Sequence, residues 1–206
     1  MKNNIIDIVS NGFNAKNKWG LVIGDIMLDE YISGDAKRLS PEAPVPIINV
    51  KDNVSKIGGA GNVALNLLGL GIKTILVGEI GNDNSGEVLK NLFKENGIPT
   101  KHLIKKKGST TTKTRIISGQ QQMVRLDHDE LSTGPNQIEL KKILKLISTG
   151  PSAIIISDYA KGFLTSPILK KIIHAANKKN IPVLIDPKGE SLEKYRGATV
   201  ITPNKK

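Results

Sequence analysis

The segment Ala153–Asp158 (AIIISD) decides the fold class, because it sets four apolar residues in an unbroken row before a serine and an aspartate. A strand that is apolar on both faces is typical of the middle of a parallel sheet, whose two sides are covered by helices. Amphipathic helices are predicted before and after it in the chain, over residues 136–148 and 167–180. A strand between two helices is the repeating unit of an α/β fold.

The same alternation of short apolar runs and helical patterns continues toward both ends of the chain. Helices are predicted over residues 61–70 and 85–96, the second with Ser85 as its N-cap and Gly97 at its end. The other predicted strands are residues 19–25, 73–78, 182–186 and 198–202. The fold class is therefore α/β, with a parallel central sheet.

Two stretches interrupt this alternation. Residues 31–57 contain three prolines and short alternating segments, and residues 110–126 have the pattern of a hairpin that turns near Ser118 and Gly119. Neither pattern fits a helical crossover, so we predict a small antiparallel sheet beside the core. Residues 19–206 then form one domain that includes this small sheet, and the polar residues 1–18 precede it as an arm or a short helix.

The composition argues against a nucleic-acid partner. Thirty Lys and Arg residues against 19 Asp and Glu residues give a net charge of +11. Only four of these cations are arginines and only seven residues are aromatic. Nucleic-acid interfaces rely on arginine forks and on aromatic faces. We therefore expect no nucleic-acid partner and ascribe the abundant lysines to AT-rich codons.

Cysteine content and apolar runs bear on the location of the protein. The chain has no cysteine, which excludes disulfides, thiolate metal sites and cysteine nucleophiles. No apolar run approaches the ~18 residues that a membrane span needs. Residues 1–7 also lack the apolar core of a signal peptide. The expected location is the cytoplasm, with no membrane partner.

Polar residues follow several of the predicted strands. In an open parallel sheet, ligands bind outside the carboxyl ends of the strands. A single aspartate at such a place is explained as well by a helix cap. Four strands that each end in Asp or Asn favour a pocket for a polyol or a phosphate, because carboxylates and amides bond several hydroxyls. These residues are Asp25 with Asp29, Asp158, Asp186, and Thr202 with Asn204.

A glycine-rich loop, Gly58–Asn62 (GGAGN), opens the first predicted helix. Glycine lets the backbone approach a ligand closely, and a helix N-terminus offers unpaired N–H groups. The spacing differs from that of dinucleotide-binding loops, and no strand is predicted directly before it. A tight turn without a ligand explains these glycines equally well.

The chain resembles the ribokinase-like, or PfkB-type, sugar kinases over about residues 19 to 206, because five segments occur in the order seen in that family. These segments are Gly24–Asp29 (GDIMLD), Gly58–Ala64 (GGAGNVA), Asp158–Gly162 (DYAKG), Asp186–Gly189 (DPKG) and Thr202–Asn204 (TPN). Two more, Arg38–Pro46 (RLSPEAPVP) and Gln120–Asp127 (QQQMVRLD), are similar to the D-glycero-β-D-manno-heptose 7-phosphate kinase branch.

The resemblance implies an activity and an assembly. The activity is ATP-dependent phosphorylation of the anomeric C1 hydroxyl of this heptose 7-phosphate to the 1,7-bisphosphate, with Mg²⁺. The product feeds the synthesis of ADP-heptose for the lipopolysaccharide core, often in a bifunctional protein of which the kinase is the N-terminal half. The implied fold is a Rossmann-like three-layer α/β/α core, ribokinase-like, with the small antiparallel sheet as a lid. The implied assembly is a homodimer that forms through this lid.

The resemblance also implies roles for individual residues on the sugar side. Those expected to contact sugar hydroxyls are Asp25, Gly58, Gly59 and Asn62. Those expected to make further contacts to the substrate are Gln121, Asp158 and Lys161.

Four residues are expected to meet phosphate groups. Lys161 or Arg115 suits the 7-phosphate as a fixed cation. Lys188 and Asn204 are expected near the nucleotide phosphates and Mg²⁺. For Lys161 and Lys188 a solvated surface lysine stays open as the alternative.

The catalytic base is expected beyond the last residue of the sequence. The family's Asn-x-x-Glu motif would begin at Asn204, and the Gly-Ala-Gly-Asp segment with the base, the anion hole and the adenine site would follow. We therefore assign no catalytic residue and no metal ligand, and expect the C-terminal part of the core to be missing and the chain to be incomplete by itself. A companion chain that carries this part is one expected partner.

Two alternatives to an intact heptose kinase remain open. The first is a non-catalytic module that binds sugar phosphate or dimerises through the lid. The second is a PfkB-type kinase of another sugar, such as ribose or a fructose phosphate, against which the segment Ser40–Pro44 (SPEAP) argues.

Overall fold

The computed structural model describes residues 18–188 and 192–204. The prediction for residues 1–18 lies, apart from Lys18, outside the described residues. The strands are β1 (Trp19–Gly24), β2 (Ile26–Leu39), β3 (Pro46–Gly59), β4 (Lys73–Val77), β5 (Glu79–Ile80), β6 (Ile104–Lys105), β7 (Thr112–Ser118), β8 (Gln121–His128), β9 (Ala153–Ser157), β10 (Val183–Asp186) and β11 (Val200–Ile201). The helices are α1 (Ala60–Gly69), α2 (Asn84–Glu95), α3 (Gln137–Ser148) and α4 (Ser166–Asn177).

The central sheet has five strands in the order β11-β10-β9-β1-β4, and all four neighbouring pairs are parallel. β9, the strand on which the fold class rests, lies in the middle as predicted. Its last residue, Ser157, pairs with Gly24 of β1 on one side and with Asp186 of β10 on the other. The carboxyl ends of these three strands therefore lie side by side.

Helices cover both faces of this sheet, which confirms the three-layer core. On one face, α3 and α4 pack their buried isoleucines and leucines against β1, β9 and β10. On the other face, α1 and α2 pack Ala60, Ala64, Leu89 and Phe93 against Val22 and Leu76. The predicted strands and helices of the core all occur, with ends that differ by at most three residues.

The start of α2 differs from the prediction. Its N-cap is Asp83, whose backbone is extended and whose carboxylate accepts a hydrogen bond from the Gly86 amide at 2.9 Å. Ser85, predicted as the cap, lies inside the first turn. The same carboxylate also accepts hydrogen bonds from the amide and the hydroxyl of Thr110. A residue outside the helix therefore helps to hold Asp83 in the N-cap position.

The second sheet, which we call the lid sheet, contains four strands in the order β3-β2-β7-β8. The β2–β3 and β7–β8 pairs are antiparallel hairpins, and the second turns at residues 119–120 as predicted. The central pair β2–β7, however, is parallel, so the sheet is mixed rather than purely antiparallel. Both hairpins start from the core, where the Leu28 amide bonds the Thr111 carbonyl at 2.9 Å, and their first strands therefore run outward together.

β3 also corrects the sequence analysis of the glycine-rich loop. The strand continues to Gly59, and α1 begins at the next residue, so a strand does directly precede this loop. Apart from the central sheet and the lid sheet, β5 and β6 form a short parallel pair. No helix within the described ranges has the length and apolar character required to cross a bilayer.

Candidate functional site

Three acidic residues follow or end adjacent strands at the carboxyl edge of the central sheet. Asp25 follows β1, Asp158 follows β9, and Asp186 is the last residue of β10. Backbone hydrogen bonds fix their relative positions. The Asp25 amide donates to the Ser157 carbonyl at 3.1 Å, and the Asp158 amide donates to the Asp186 carbonyl at 3.0 Å. The structure therefore brings together the strand-end residues predicted from the sequence.

Asp25 is a buried carboxylate held by backbone amides. Asp25 is only 4% exposed. One oxygen, Oδ2, accepts hydrogen bonds from the Tyr159 amide at 2.7 Å and the Lys161 amide at 3.3 Å. The pKa of Asp25 is raised to about 6. Burial is the main cause, the two amide hydrogen bonds lower the pKa, and the nearby charge of Asp158 raises it. At neutral pH this group is a desolvated anion with an oxygen available for a donor.

The loop between β9 and α4, residues 158–165, supplies those amides. It turns sharply, because Ala160 adopts a left-handed conformation with φ 57° and Gly162 has φ 94°. A Cβ atom on Gly162 would lie 2.1 Å from the Ser132 carbonyl oxygen, so only glycine fits there. The turn directs the Tyr159 and Lys161 amides toward Asp25.

Asp158 holds this loop in place and has both oxygens engaged. Oδ1 accepts a hydrogen bond from the Ala160 amide at 2.8 Å. Oδ2 accepts bonds from the Lys194 ammonium at 2.6 Å and from the Tyr195 hydroxyl at 2.7 Å. Sequence reasoning missed Lys194 and Tyr195, for which no local pattern gives a signal, since they lie 36 and 37 residues from their partner.

The glycines at the end of β3 are required by close packing against Asp29 of β2 and the backbone of Asp25. A Cβ atom on Gly58 would lie 2.3 Å from Oδ2 of Asp29. Gly59 has φ 58°, and a Cβ atom there would lie 2.3 Å from the Asp25 carbonyl oxygen. This carbonyl accepts the Ala60 amide at 2.8 Å, which starts α1 beside Asp25. Asn62 lies exposed in the first turn of that helix.

Two cations of the lid sheet lie over the ring of Tyr31. Arg115 donates a hydrogen bond to Asp29 at 2.7 Å, and this bond raises the pKa of the guanidinium. Its guanidinium carbon lies 5.1 Å from the ring centre of Tyr31, and the Lys56 ammonium lies 5.0 Å from the same ring. The structure thus places Arg115 in a cluster of aromatic, acidic and basic side chains, with Lys56 as a second cation that sequence reasoning missed.

Lys161 is fixed by an ion pair with Asp129, the residue after β8. Its ammonium borders a narrow gap of about 10 Å³ that Asp25, Glu79 and Lys106 also line. Glu79 and Lys106 continue into a groove of about 480 Å³ beside residues 105–108 and 130–134. Lys161 therefore lies next to Asp25, as expected for a substrate contact, but with its charge already paired.

Gln121 does not reach this site within the chain. It is exposed at the hairpin end of β8, six residues from Asp127, which pairs with Lys113 at the base of the lid sheet. At about 3.4 Å per residue, this separation is roughly 20 Å.

Lys188 and Asn204 lie at the carboxyl ends of the two adjacent outer strands. Lys188 follows β10, and its ammonium lies 5.8 Å from the ring centre of Tyr159. Asn204 follows β11, which Thr202 joins to β10 through a 2.9 Å bond from its amide to the Ile185 carbonyl. Both side chains are exposed. The part of the chain that the structure describes has no cluster of three or more His, Asp or Glu side chains suited to a metal ion.

Residues 20–206 match the pfkB family of carbohydrate kinases. The "Bifunctional protein HldE" of Methylobacillus flagellatus is 45% identical over 210 residues, which cover 100% of this chain and 43% of that protein. The protein of the same name from Haemophilus influenzae (strain PittEE) is 43% identical over 187 residues, or 89% of this chain and 38% of that protein. The chain thus spans less than half the length of these relatives.

Solved structures of sugar kinases share the fold. A ribokinase of Arabidopsis thaliana in complex with ribose and ATP superposes with a TM-score of 0.67 at 16% identity, covering 90% of this chain and 60% of that one. The tetrameric inhibited form of phosphofructokinase-2 from Escherichia coli gives a TM-score of 0.67 at 19% identity over the same shares. At these identities the likeness concerns the fold alone, which is ribokinase-like.

Proposed function

Because the chain belongs to the pfkB family of carbohydrate kinases, we propose that it carries the sugar-binding side of a D-glycero-β-D-manno-heptose 7-phosphate kinase. The reaction transfers the terminal phosphoryl group of ATP to the anomeric hydroxyl of the sugar phosphate, in the cytoplasm, toward ADP-heptose. No residue described here is assigned as the catalytic base.

The observation that carries this proposal is the buried carboxylate of Asp25 at the strand ends. Two amides occupy Oδ2, and within the described residues Oδ1 has no hydrogen-bond partner. A sugar hydroxyl that donates to Oδ1 would compensate for the lost solvation of the anion, and hydrogen bonds to a charged group contribute about 1.5–3 kcal/mol each. The Gly58–Gly59 backbone and the Asn62 amide, at the start of α1 beside it, are the further proposed hydroxyl contacts.

Arg115 is our proposed contact for the 7-phosphate. A guanidinium can bind a phosphate with two parallel hydrogen bonds, and here its position is fixed by Asp29 and the Tyr31 ring. Lys56, whose ammonium lies 5.0 Å from the centre of that ring, would add a second charge. Lys161 remains a candidate, but it would have to exchange Asp129 for the phosphate. Gln121 would need a movement of the lid sheet or a second protomer to contact the substrate.

ATP and Mg²⁺ would bind on the β10–β11 side of the edge. We assign Lys188 to the nucleotide phosphates and Asn204 to a position near these phosphates and Mg²⁺, without making it a metal ligand. Mg²⁺ in kinases is commonly held by one or two protein oxygens together with the phosphate oxygens. The ion would neutralise charge that develops on the transferred group.

The assembly that we propose is a homodimer through the lid sheet. Ile32, Ile116 and Val124 are cross-strand neighbours on one face, and Leu126 follows two residues after Val124 on the same face. Val124 and Leu126 are 44% and 54% exposed. An exposed apolar stripe across three strands favours burial against a second copy of itself.

Calorimetric titration of the chain with heptose 7-phosphate, then with ATP and Mg²⁺, tests the proposal. We expect saturable binding of the heptose phosphate at least tenfold tighter than that of ribose or fructose 1-phosphate. Equal binding of the three sugars would contradict the heptose assignment. Binding of none of them by a folded chain would contradict a sugar site at the strand ends. Phosphorus NMR of the same samples reports whether the 1,7-bisphosphate forms.

A further inference from the structure

We infer that Tyr195 is a positioning residue for Asp25, acting through Asp158 and the β9–α4 loop. The inference rests on the proposed function in one respect only, the role of Asp25 in sugar binding. The connection itself is a continuous series of hydrogen bonds. The Tyr195 hydroxyl donates to Asp158 at 2.7 Å, Asp158 accepts the Ala160 amide at 2.8 Å, and the amides on either side of Ala160 hold Asp25.

The loop needs an anchor because its conformation is strained. Ala160 has φ 57°, a left-handed conformation that an alanine rarely adopts and that costs of the order of 1–3 kcal/mol. Such a residue keeps its conformation only when its surroundings determine it. Here the fixed partner of the Ala160 amide is the Asp158 carboxylate. If Asp158 moves, the direction of the Tyr159 and Lys161 amides changes as well.

Tyr195 is the more rigid of the two donors that hold Asp158. Its residue is fully buried, and the Asp158 side chain is 1% exposed, so their hydrogen bond forms away from water. Hydrogen bonds to an ionised group in such surroundings are among the strong ones. Lys194 donates to the same oxygen from a side chain that is 24% exposed, at the end of a flexible stem. Burial and the bond to Asp158 raise the pKa of Tyr195, so the hydroxyl keeps its proton.

Tyr195 also connects two parts of the candidate site. It ends the 3₁₀ turn Glu193–Tyr195, which leads into β11 and on to Asn204. Asp158 belongs to the sugar side of the edge, and Asn204 to the proposed nucleotide side. The hydrogen bond from the Tyr195 hydroxyl to Asp158 thus connects the segment that leads to the nucleotide side with the loop that holds Asp25.

The Tyr195→Phe variant tests the inference without any ligand. The pKa of Asp25 is measured by carbon NMR of the carboxyl group, assigned with Asp25→Asn. A carboxylate that accepts two or three amide bonds has a pKa lowered by about one unit per bond, so loosening of the loop should raise the pKa of Asp25 by roughly one unit. The charged groups around Asp25 are Asp158 and Lys161, with Glu79 and Lys106 across the narrow gap, and the variant changes none of them.

Thr114→Val is the matched control, because it also removes a hydroxyl that donates to a carboxylate, that of Glu30 at 2.8 Å in the lid sheet. It should leave the pKa of Asp25 unchanged. An unchanged pKa of Asp25 in folded Tyr195→Phe would overturn the inference.

Hydrogen exchange of the unmodified chain provides a second test, which does not depend on the folding of the variant. If Tyr195 anchors the loop, the Ala160, Lys161 and Tyr195 amides open together, with equal protection and equal dependence on denaturant. Exchange of the two loop amides more than about tenfold faster than that of Tyr195 would contradict a common opening.

Sugar-phosphate binding as a function of pH extends the test to function. If only the ionised form of Asp25 binds, a rise of its pKa by one unit weakens binding by Tyr195→Phe about fivefold at pH 6 and hardly at all at pH 8. A defect of the same size at both pH values would contradict positioning of Asp25. If neither protein binds the sugar phosphate at any pH, the proposed function fails, and the pKa of Asp25 in the ligand-free proteins still decides the inference.

Discussion

The carboxyl edge of the central sheet and the lid sheet differ in how far their side chains are hydrogen-bonded or buried within the chain itself. At the edge, both carboxylate oxygens of Asp158 accept hydrogen bonds, from three donors in the β9–α4 loop and the 3₁₀ turn Glu193–Tyr195, and Asp25 is buried. In the lid sheet, all eight residues of β8 are exposed. Among the residues that the structure describes, seven of the twelve exposed large apolar side chains lie in this sheet or in its β2–β3 turn. The edge is therefore organised before a ligand binds, whereas the lid sheet leaves apolar surface exposed.

The largest expected effect is the loss of sugar binding when Asp25 is neutralised. Asp25→Asn keeps the shape of the side chain and an oxygen for the two amides, but removes the charge that sugar hydroxyls would meet. We expect heptose 7-phosphate to bind roughly 100-fold more weakly, as for one to two hydrogen bonds to a charged group. Calorimetry measures this change. Asp35→Asn is the control that should bind normally, because Asp35 is a half-buried aspartate paired with Lys37 and Lys51 in the lid sheet.

The same variant should stabilise the fold at neutral pH. Because the pKa of Asp25 rises from 3.8 to about 6 on folding, its contribution to stability is present below pH 4 and is lost as the pH rises through 6. Asp25→Asn should therefore exceed the unmodified chain in unfolding free energy by about 2–3 kcal/mol above pH 7, and by little at pH 4. Urea unfolding at the two pH values measures this difference. A less stable variant at pH 7.5 would contradict the buried, desolvated state of Asp25.

Charge introduced into the apolar stripe of the lid sheet should separate protomers without unfolding the core. The double variant Val124→Lys and Leu126→Lys is expected to weaken association at least tenfold, because two charges would be buried at the contact. Sedimentation velocity measures the assembly. Leu131→Lys with Ile138→Lys changes two more exposed apolar residues outside the sheet and should leave the assembly unchanged. A chain that is monomeric before any substitution would exclude the proposed dimer.

A methyl group on Gly58 should disturb the junction of the two regions. Gly58→Ala forces its Cβ against Asp29, and Met27 lies 2.8 Å away, so we expect a destabilisation of about 1–3 kcal/mol in urea. Gly69→Ala at the end of α1 meets nothing within 4 Å and should be neutral or stabilising by up to about 1 kcal/mol. Equal effects of the two substitutions would mean that packing at Gly58 is looser than described.

The smallest expected effect concerns the phosphate. Arg115→Gln should weaken binding of heptose 7-phosphate about tenfold and leave the unphosphorylated sugar nearly unchanged, because it removes one charge-assisted contact. Arg125→Gln is the matched control, since Arg125 is the cross-strand partner of Arg115 but is exposed and pairs with Asp127. Equal losses for both variants would indicate general charge attraction rather than a phosphate site.

Periodicity and strand-end position were sufficient to predict the core from the sequence. The all-apolar β9 lies in the centre, and Asp25, Asp158 and Asp186 come together because parallel strands bring their carboxyl ends to one edge. The direction of pairing in the lid sheet could not be predicted, because β2 and β7 are separated by α1, β4 and α2, and no local pattern encodes which strands of two hairpins meet.

Residue roles were harder to predict than positions. A motif indicates that Asp158 matters, but not that its carboxylate holds a loop through Tyr195. Likewise, the sequence allows two explanations for the glycine at position 58, a ligand contact or a tight turn. The structure supplies a third, because the Asp29 side chain packs against Gly58. Both depend on contacts between residues far apart in the chain.

The most direct test of the strand-end site is an amide NMR titration of the chain with heptose 7-phosphate at pH 7.5. We predict saturable shifts centred on the amides of Gly59, Tyr159 and Lys161, which surround Asp25. The amides of Gln121 and Gln122, at the exposed end of β8, should hardly move in the same titration. Shifts that spread over surface lysines, or that centre on β8 without the Asp25 amides, would contradict a sugar site at the carboxyl edge.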